Sequence, residues 1–250
     1  MTYTVYELAR AGLEPILPPI YRQIRSLLLR QIKSNGSRPL LLDVGGRKSP
    51  YTIGVPAAIT VIDLPRESEV QKQLHLGITD DIVAQLKRRR SNIEEFIFGD
   101  MTCSGLPSNT FDFVVSVEVL EHVEEDEKFV REVSRVLKPG GKFFMTTPNG
   151  DFVENKNPDH KRHYKKSELE ALLATSFGDV RVEYAIAGGQ YRRMGLKPWS
   201  IYRPVQTALS VTGNVINGFQ SGARGIADRS KGTHHLFAVA QKGSEPSSES

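Results

Sequence analysis

The chain has 250 residues, 39% apolar and 25% charged, enough to bury one substantial core and typical of an ordinary globular protein. Its single cysteine, Cys103, rules out an intramolecular disulfide and suits a reducing compartment, and no run approaches the ~20 consecutive apolar residues of a membrane span. The 33 basic against 29 acidic side chains fit an anionic substrate but are too small an excess to imply nucleic acid.

Residues 1–38 read as an N-terminal helical cap. They mix prolines with a helix from Ile20 to Ile32, where Ile20, Ile24, Leu27, Leu28 and Ile32 share a face and Pro18-Pro19 suits the start. Asn35-Gly36 ends that helix, and the main unit, residues 39–242, follows. Pro39 to Val44 is a short apolar run bounded by breakers, hence a buried strand, and Gly45-Gly46 comes at once. A second strand, Ala57 to Ile62, ends in Asp63, and a helix is expected from Asp80 to Arg90. A third strand, Glu95 to Gly99, ends in Asp100, and a fourth runs from Phe111 to Val117. Asp126 to Leu137 is an amphipathic helix carrying Phe129, Val130, Val133 and Val136 on one face. Lys138-Pro139-Gly140-Gly141 then turns the chain into a fifth strand, Lys142 to Thr147. Beyond it come a basic loop (149–166), a helix (167–177), a strand (180–187), an insertion or lid (188–233) and a last strand, His234 to Gln241. The Ser/Glu/Pro tail 243–250 is expected to be disordered.

Alternating strands and helices with short connections predict a doubly wound α/β sheet with its ligands outside the carboxyl ends of the strands. The glycines and acids fall there. A strand ending in Asp43, a glycine turn, and Asp63 twenty residues on follow the logic of an adenosine-containing cofactor: glycine lets backbone approach the ligand and the later carboxylate accepts from ribose hydroxyls. The dinucleotide fingerprint Gly-x-Gly-x-x-Gly is absent, since the turn reads Gly45-Gly46-Arg47-Lys48-Ser49, and a further acid, Asp100, closes the third strand.

Leu41-Leu42-Asp43-Val44-Gly45-Gly46, then Asp63, Gly99-Asp100, the stretch Phe111 to Val123, and Leu137-Lys138-Pro139-Gly140-Gly141 before Thr146-Thr147-Pro148-Asn149 together resemble a class I S-adenosylmethionine-dependent methyltransferase over roughly Leu40 to Lys242. The resemblance implies a Rossmann-like, seven-stranded sheet with an antiparallel last strand in a three-layer αβα sandwich. It implies that Asp43, Gly45, Gly46 and Arg47 border the methionine moiety, Asp63 with Leu64 the ribose, Gly99, Asp100 and Met101 the adenine, and Val117-Glu118 the sulfonium. Arg47 stands where the family has its second glycine, which makes the loop less free, so that the cofactor's carboxylate is expected either to meet that guanidinium or to bind poorly. That departure keeps open a non-catalytic module with the same fold.

Glu118, Glu121 and His122 are spaced i, i+3, i+4, so a helix starting near Glu118 would point all three to one face. Two carboxylates and an imidazole there could bind a divalent ion, Mg²⁺ or Mn²⁺ being favoured by the oxygens and Zn²⁺ or Fe²⁺ compatible with the histidine. Their other reading is a helix start, with the acids complementing its dipole. Ubiquinone-type O-methyltransferases share the Glu-x-x-Glu-His pattern, and small-RNA 3′-terminal 2′-O-methyltransferases add a distal histidine after a Thr-Pro-Asn strand end. Thr147-Pro148-Asn149 precedes His160-Lys161-Arg162-His163 here, so His160 is the candidate fourth ligand and His163 the second choice. Without metal, His122, His160 or His163 would serve as general base.

Lys156, Lys161, Arg162, Lys165, Lys166, Arg192, Arg193, Lys197 and Arg203 all follow the fifth strand and fit an anionic acceptor or a solvated rim. Lys87 to Arg90 reads as an exposed helix end. Ile201, Tyr202, Val205, Ala208, Leu209, Val215, Ile216 and Phe219 form an apolar stripe at helical spacing, expected to pack as a lid rather than serve as a dimer or membrane contact. The chain start lacks a charged segment followed by an apolar run, so a cytoplasmic enzyme is expected. The expected activity is O-methylation of a small or lipid-linked metabolite, with metal-dependent methylation of an RNA 3′-terminal ribose as the rival.

Overall fold

A computed structural model describes residues 3–33, 38–46, 49–65 and 79–244. Arg47 and the tail residues 245–250 lie outside them. Seven strands, β1 (Leu40–Val44), β2 (Ala58–Asp63), β3 (Ile93–Phe98), β4 (Phe111–Val117), β5 (Leu137–Pro148), β6 (Asp179–Ala187) and β7 (Thr233–Gln241), form one sheet in the order β3-β2-β1-β4-β5-β7-β6. Neighbours from β3 through β5 are parallel, and β7 runs antiparallel to both β5 and β6. The helices are α1 (Val5–Leu13), α2 (Pro19–Lys33), α3 (Asp80–Arg89), α4 (Asp126–Val136), α5 (Lys166–Ala174), α6 (Gln190–Gly195) and α7 (Pro204–Ser221).

The two-residue alternation of the strands divides the core into two layers. Leu41, Ile59, Val61, Phe113, Val115 and Phe144 face one way, under Ile24, Leu28 and Ile32 of α2. Leu42, Val44, Val114, Phe143 and Met145 face the other, under Phe129, Val130 and Val133 of α4 and Leu169 and Leu173 of α5. The result is the αβα sandwich. From β1 the chain moves out to β2 and β3, then returns to β4 on the other side of β1. The β1–β4 border is thus the switch point where such sheets bind ligands.

Three features depart from the sequence expectations. Helix α1 was hidden from apolar periodicity, yet it carries a capping box. Glu7 N donates to Thr4 Oγ1 (3.2 Å), and the buried Glu7 carboxylate accepts from Thr4 N (2.8 Å) and from Ser91 at the edge of β3. Strand β5 begins at Leu137, so the Lys-Pro-Gly-Gly turn lies within it, with Gly140 at φ +74° and a register shift opposite Phe111–Phe113. Helix α7 shows the reverse of the expected packing: it buries Ser210, Gly213, Asn214, Asn217 and Ser221 and turns the apolar stripe outward. Gly213 allows the close approach, because a Cβ there would lie 2.8 Å from Gly195 N, Tyr191 O and Met194 Cβ. The two amides cap loose carbonyls, Asn214 Nδ2 donating to Ile16 O (3.0 Å) and Asn217 Nδ2 to Ala187 O (2.7 Å).

Candidate active site

Gly45 and Gly46 follow β1 directly, and the fully buried Asp43 lies beneath them. Its Oδ1 accepts from Ser49 Oγ (2.9 Å) and Tyr51 OH (3.1 Å), its Oδ2 from Thr52 Oγ1 (2.8 Å), and Arg90 Nη2 donates to Thr52 Oγ1 (2.8 Å) behind them. Burial raises the Asp43 pKa to about 6, against the opposing pull of Arg90 and the three hydroxyls. Arg90 is therefore no exposed helix end but the buried counter-charge of the turn. A Cβ on Gly46 would sit 2.6 Å from the Asp43 carboxyl carbon, and one on Gly45 (φ +70°) 2.6 Å from Val119 Cγ2. The turn is thus wedged between β1 and the end of β4.

The next two strands end in acids. Asp63 closes β2, with Oδ1 accepting from Leu64 N (2.9 Å), while the Leu64 side chain is exposed. Gly99 N donates to Asp63 O (3.1 Å), which sets Asp100 beside it. Asp100 is exposed and accepts from Thr102 N (2.8 Å). Carboxylates can only accept, as a ribose diol or an adenine amine requires. The Met101 side chain is buried in the core. Val117 is half-buried, packed between the α2 layer and Ile186.

At Glu118 the chain adopts φ +56°, a left-handed conformation uncommon outside glycine. No helix starts there: a short 3₁₀ turn covers only Leu120–His122, and α4 begins at Asp126. Glu118 consequently leaves the face expected for it. Its Oε1 accepts from Thr146 Oγ1 (3.0 Å), and Oε2 lies 3.2 Å from His235 Nε2 at the start of β7. Burial would raise its pKa, but His235 more than offsets that and holds the group at about 2.

Glu121, His122 and His160 do converge, with one ligand atom from each lying within 4.8 Å of the others. Glu121 is fully buried; Oε2 accepts from Thr147 Oγ1 (3.3 Å), and Oε1 has no hydrogen-bond partner among the described residues. Burial, reinforced by the Glu118 charge, pushes its pKa well up. A chain of bonds orients the imidazoles. A backbone carbonyl can only accept, so His163 donates from Nδ1 to Val153 O (2.9 Å) and, when neutral, accepts at Nε2 from His160 Nδ1 (2.8 Å). His122 donates from Nδ1 to Asp159 O (3.0 Å). Both His122 and His160 are thereby left with a lone pair on Nε2. Burial, with His122 and His163 nearby, lowers the His160 pKa and favours the neutral form that ligates metals.

The loop bearing His160 is fastened to the segment after β4: Lys161 N donates to Glu121 O (2.7 Å), and Arg162 Nη1 and Tyr164 OH each donate to Asp126 Oδ2 (2.7 Å). Of the cations expected at the acceptor, Lys156, Lys161, Arg162 and Lys166 pair with Glu154, Glu124, Asp126 and Glu170.

Residues 57–145, from the edge of β2 into β5, match the methyltransferase domain family, so that Asp63, Asp100 and the Glu118–His122 stretch lie inside the match. A probable S-adenosylmethionine-dependent methyltransferase of Mycolicibacterium smegmatis is 32% identical over 115 residues, 44% of this chain and 44% of that protein. A ubiquinone biosynthesis O-methyltransferase of Xanthomonas oryzae pv. oryzae is 28% identical over 174 residues, 64% of this chain and 67% of that one. The crystal structure of a SAM-dependent methyltransferase from Archaeoglobus fulgidus superposes with a TM-score of 0.55 at 14% identity, covering 89% of this chain and 94% of that chain. Residues 57–145 thus resemble a methyltransferase domain, and the fold is that of solved S-adenosylmethionine-dependent methyltransferases. The aligned stretch spans under half of the mycobacterial relative, at 44% of its length.

Of the other side of the site, sequence reasoning named only Arg192. Behind Glu118 lies a cavity of about 80 Å³ lined by Tyr21 of α2, Arg192 of α6, Asn214 and Asn217 of α7, and His235. Only the fold brings these residues together. The spacing of the buried amides on α7 was a visible hint that its packed face is polar.

Proposed function

We propose that this chain transfers the methyl group of S-adenosylmethionine to an oxygen of a small or lipid-linked acceptor bearing an acidic group, assisted by a divalent cation held by Glu121, His122 and His160. The reading rests on one observation above all. A buried carboxylate oxygen without a hydrogen-bond partner among the described residues and two imidazoles with free Nε2 atoms meet at the end of β4, on the same edge of the sheet as the strand ends that carry Gly45, Asp63 and Asp100.

These residues fit the cofactor. Asp63 and Asp100 would accept from its ribose and adenine, and the turn at Gly45 and Gly46 presents backbone without side chains. When bound, S-adenosylmethionine supplies a methyl carbon activated by a positive sulfur. Holding an acceptor oxygen in line with that carbon is worth about 7–11 kcal/mol at best. The metal donor set also fits, with one correction to the expected chemistry. Glu118 is engaged elsewhere, so one oxygen and two nitrogens remain, a set that suits Mn²⁺, Fe²⁺ or Zn²⁺ better than Mg²⁺. Such an ion supplies a Lewis acid that lowers the pKa of an acceptor hydroxyl. Glu118, held at about 2, stays an anion at neutral pH.

The acceptor's acidic group rests on unused donors in the cavity. Glu118, engaged by Thr146 and His235, also acts as an opposite charge on the half-buried Arg192 guanidinium, yet that guanidinium and the Tyr21 hydroxyl make no hydrogen bond among the described residues. A carboxylate would satisfy both. The Xanthomonas relative, an O-methyltransferase by name, supports oxygen as the methylated atom.

Radiolabelled methyl transfer to paired alcohols and phenols, with and without a carboxylate, tests the reading. Methylation at oxygen, better for the carboxylated partner, lost on chelation and restored by Mn²⁺ or Zn²⁺, is expected. Transfer only to nitrogen or carbon would refute it. A full rate after exhaustive chelation would refute the metal, and metal-dependent methylation of an RNA 3′ end would replace the small acceptor.

A further inference from the structure

Helix α7 and the turn before it expose apolar side chains, while the helix buries its polar side. Ile201 is 87% exposed, Tyr202 88%, Val205 73% and Phe219 78%, while Ser210, Asn214, Asn217 and Ser221 are buried. From Val205 the outward residues recur at helical spacing through Leu209 to Phe219, so they form one continuous strip rather than scattered surface side chains. Along this stretch of sequence the charge is of one sign. Between Glu183 and Asp228 the chain has no acidic residue, but it carries Arg192, Arg193, Lys197, Arg203 and Arg224. The turn leading into α7 also places Tyr202 beside Arg203, residue types that settle at a lipid–water interface, with Trp199 half-buried behind them, its Nε1 donating to Ser210 Oγ (3.0 Å).

We infer that the turn 198–203 and the outer strip of α7 dock on an anionic lipid bilayer, the helix lying in the plane of the interface. No helix among the described residues is long and apolar enough to cross a membrane, so the contact is peripheral. A second copy of the chain is a poorer occupant, because a two-fold contact through this strip sets Arg203 and Lys197 against their own copies. The inference goes beyond the proposed reaction but bears on it. Asn214 and Asn217, on the buried side of the same helix, line the cavity behind Glu118, so a single helix separates that cavity from the lipid-facing strip. An acceptor tethered to a lipid would then be presented beside its site.

Trp199 is the chain's single tryptophan and reports on this turn directly. The full chain would be mixed with vesicles of phosphatidylcholine alone or of equal parts phosphatidylcholine and phosphatidylglycerol, followed by sedimentation and Trp199 emission. Binding to the anionic vesicles, a blue shift of Trp199, weakening by salt, and a loss of about tenfold or more in Ile201→Glu/Tyr202→Glu are expected. Both positions are exposed, so an unchanged melting temperature in that double variant shows that the loss is not unfolding. A second double variant, Lys197→Gln/Arg203→Gln, should lose only the preference for anionic lipid. No sedimentation with either vesicle, or unchanged binding by the glutamate variant, would overturn the inference. So would a concentration-dependent dimer that the same glutamates dissolve, which would assign the strip to a second copy.

Discussion

His160 donates from Nδ1 to Nε2 of His163 across 2.8 Å, and His163 can accept because its own Nδ1 is committed to Val153 O. The pair fixes which nitrogen of His160 remains for a ligand. In His163→Ala, His160 is free to rotate and change tautomer. Zn²⁺ or Mn²⁺ affinity should fall about 10–100-fold, the usual effect of losing an outer partner of a ligating histidine. Glu121→Gln should abolish binding. Calorimetric titration of the metal-free protein reads both, and equal affinity in wild type and His163→Ala would refute the relay.

Glu121 makes the metal-free protein sensitive to pH. Its folded pKa lies well above the ordinary 4.5, so the folded state retains a proton that the unfolded chain gives up. The resulting stability is fully present below pH 4.5 and is lost as pH rises through the folded value. Glu121→Gln removes this dependence and should melt above the metal-free wild type at pH 8, by about 1–3 kcal/mol, but not at pH 4. Melting curves at the two pH values decide it.

At Gly46 a methyl group would meet the Asp43 carboxylate at 2.6 Å, with hydroxyls packed around it. Gly46→Ala should therefore lower the melting temperature and weaken S-adenosylhomocysteine binding at least about tenfold, by displacing the turn. Gly105→Ala is the control: φ is +67° there, but nothing lies within 4 Å, so only backbone strain is added. Equal cofactor affinity in the two variants would refute the packing argument.

Arg192→Met should reduce kcat/KM for a carboxylated acceptor about 10–100-fold, the scale of a lost charge-assisted bond, and leave its uncharged counterpart nearly unchanged. Arg192→Lys should recover part of the loss. A uniform loss over both acceptors would instead give Arg192 a structural role.

Much of the fold was legible because strand alternation and the amphipathic face of α4 are local patterns. Leu42 and Val44, or Phe129 and Val133, show their faces without reference to the rest of the chain. The strand-end positions of Gly45, Asp63 and Asp100 were readable for the same reason. What escaped depends on groups far apart in sequence. Arg90 looked like the last of four solvated cations until Thr52 and Asp43 met it. Arg162 looked free for substrate until Asp126 did. Glu118 looked like a partner of Glu121 and His122 until the left-handed turn there carried its carboxylate to Thr146 and His235. Helix α7 was misread because apolar spacing marks a face without saying what it faces.

The most direct test of the whole account is titration calorimetry of S-adenosylhomocysteine against the wild type and Asp63→Ala. One binding site per chain is predicted, with affinity falling at least about tenfold, or about 1.4 kcal/mol, in the variant. Absence of binding heat in the wild type, or equal affinity in the two proteins, would contradict it.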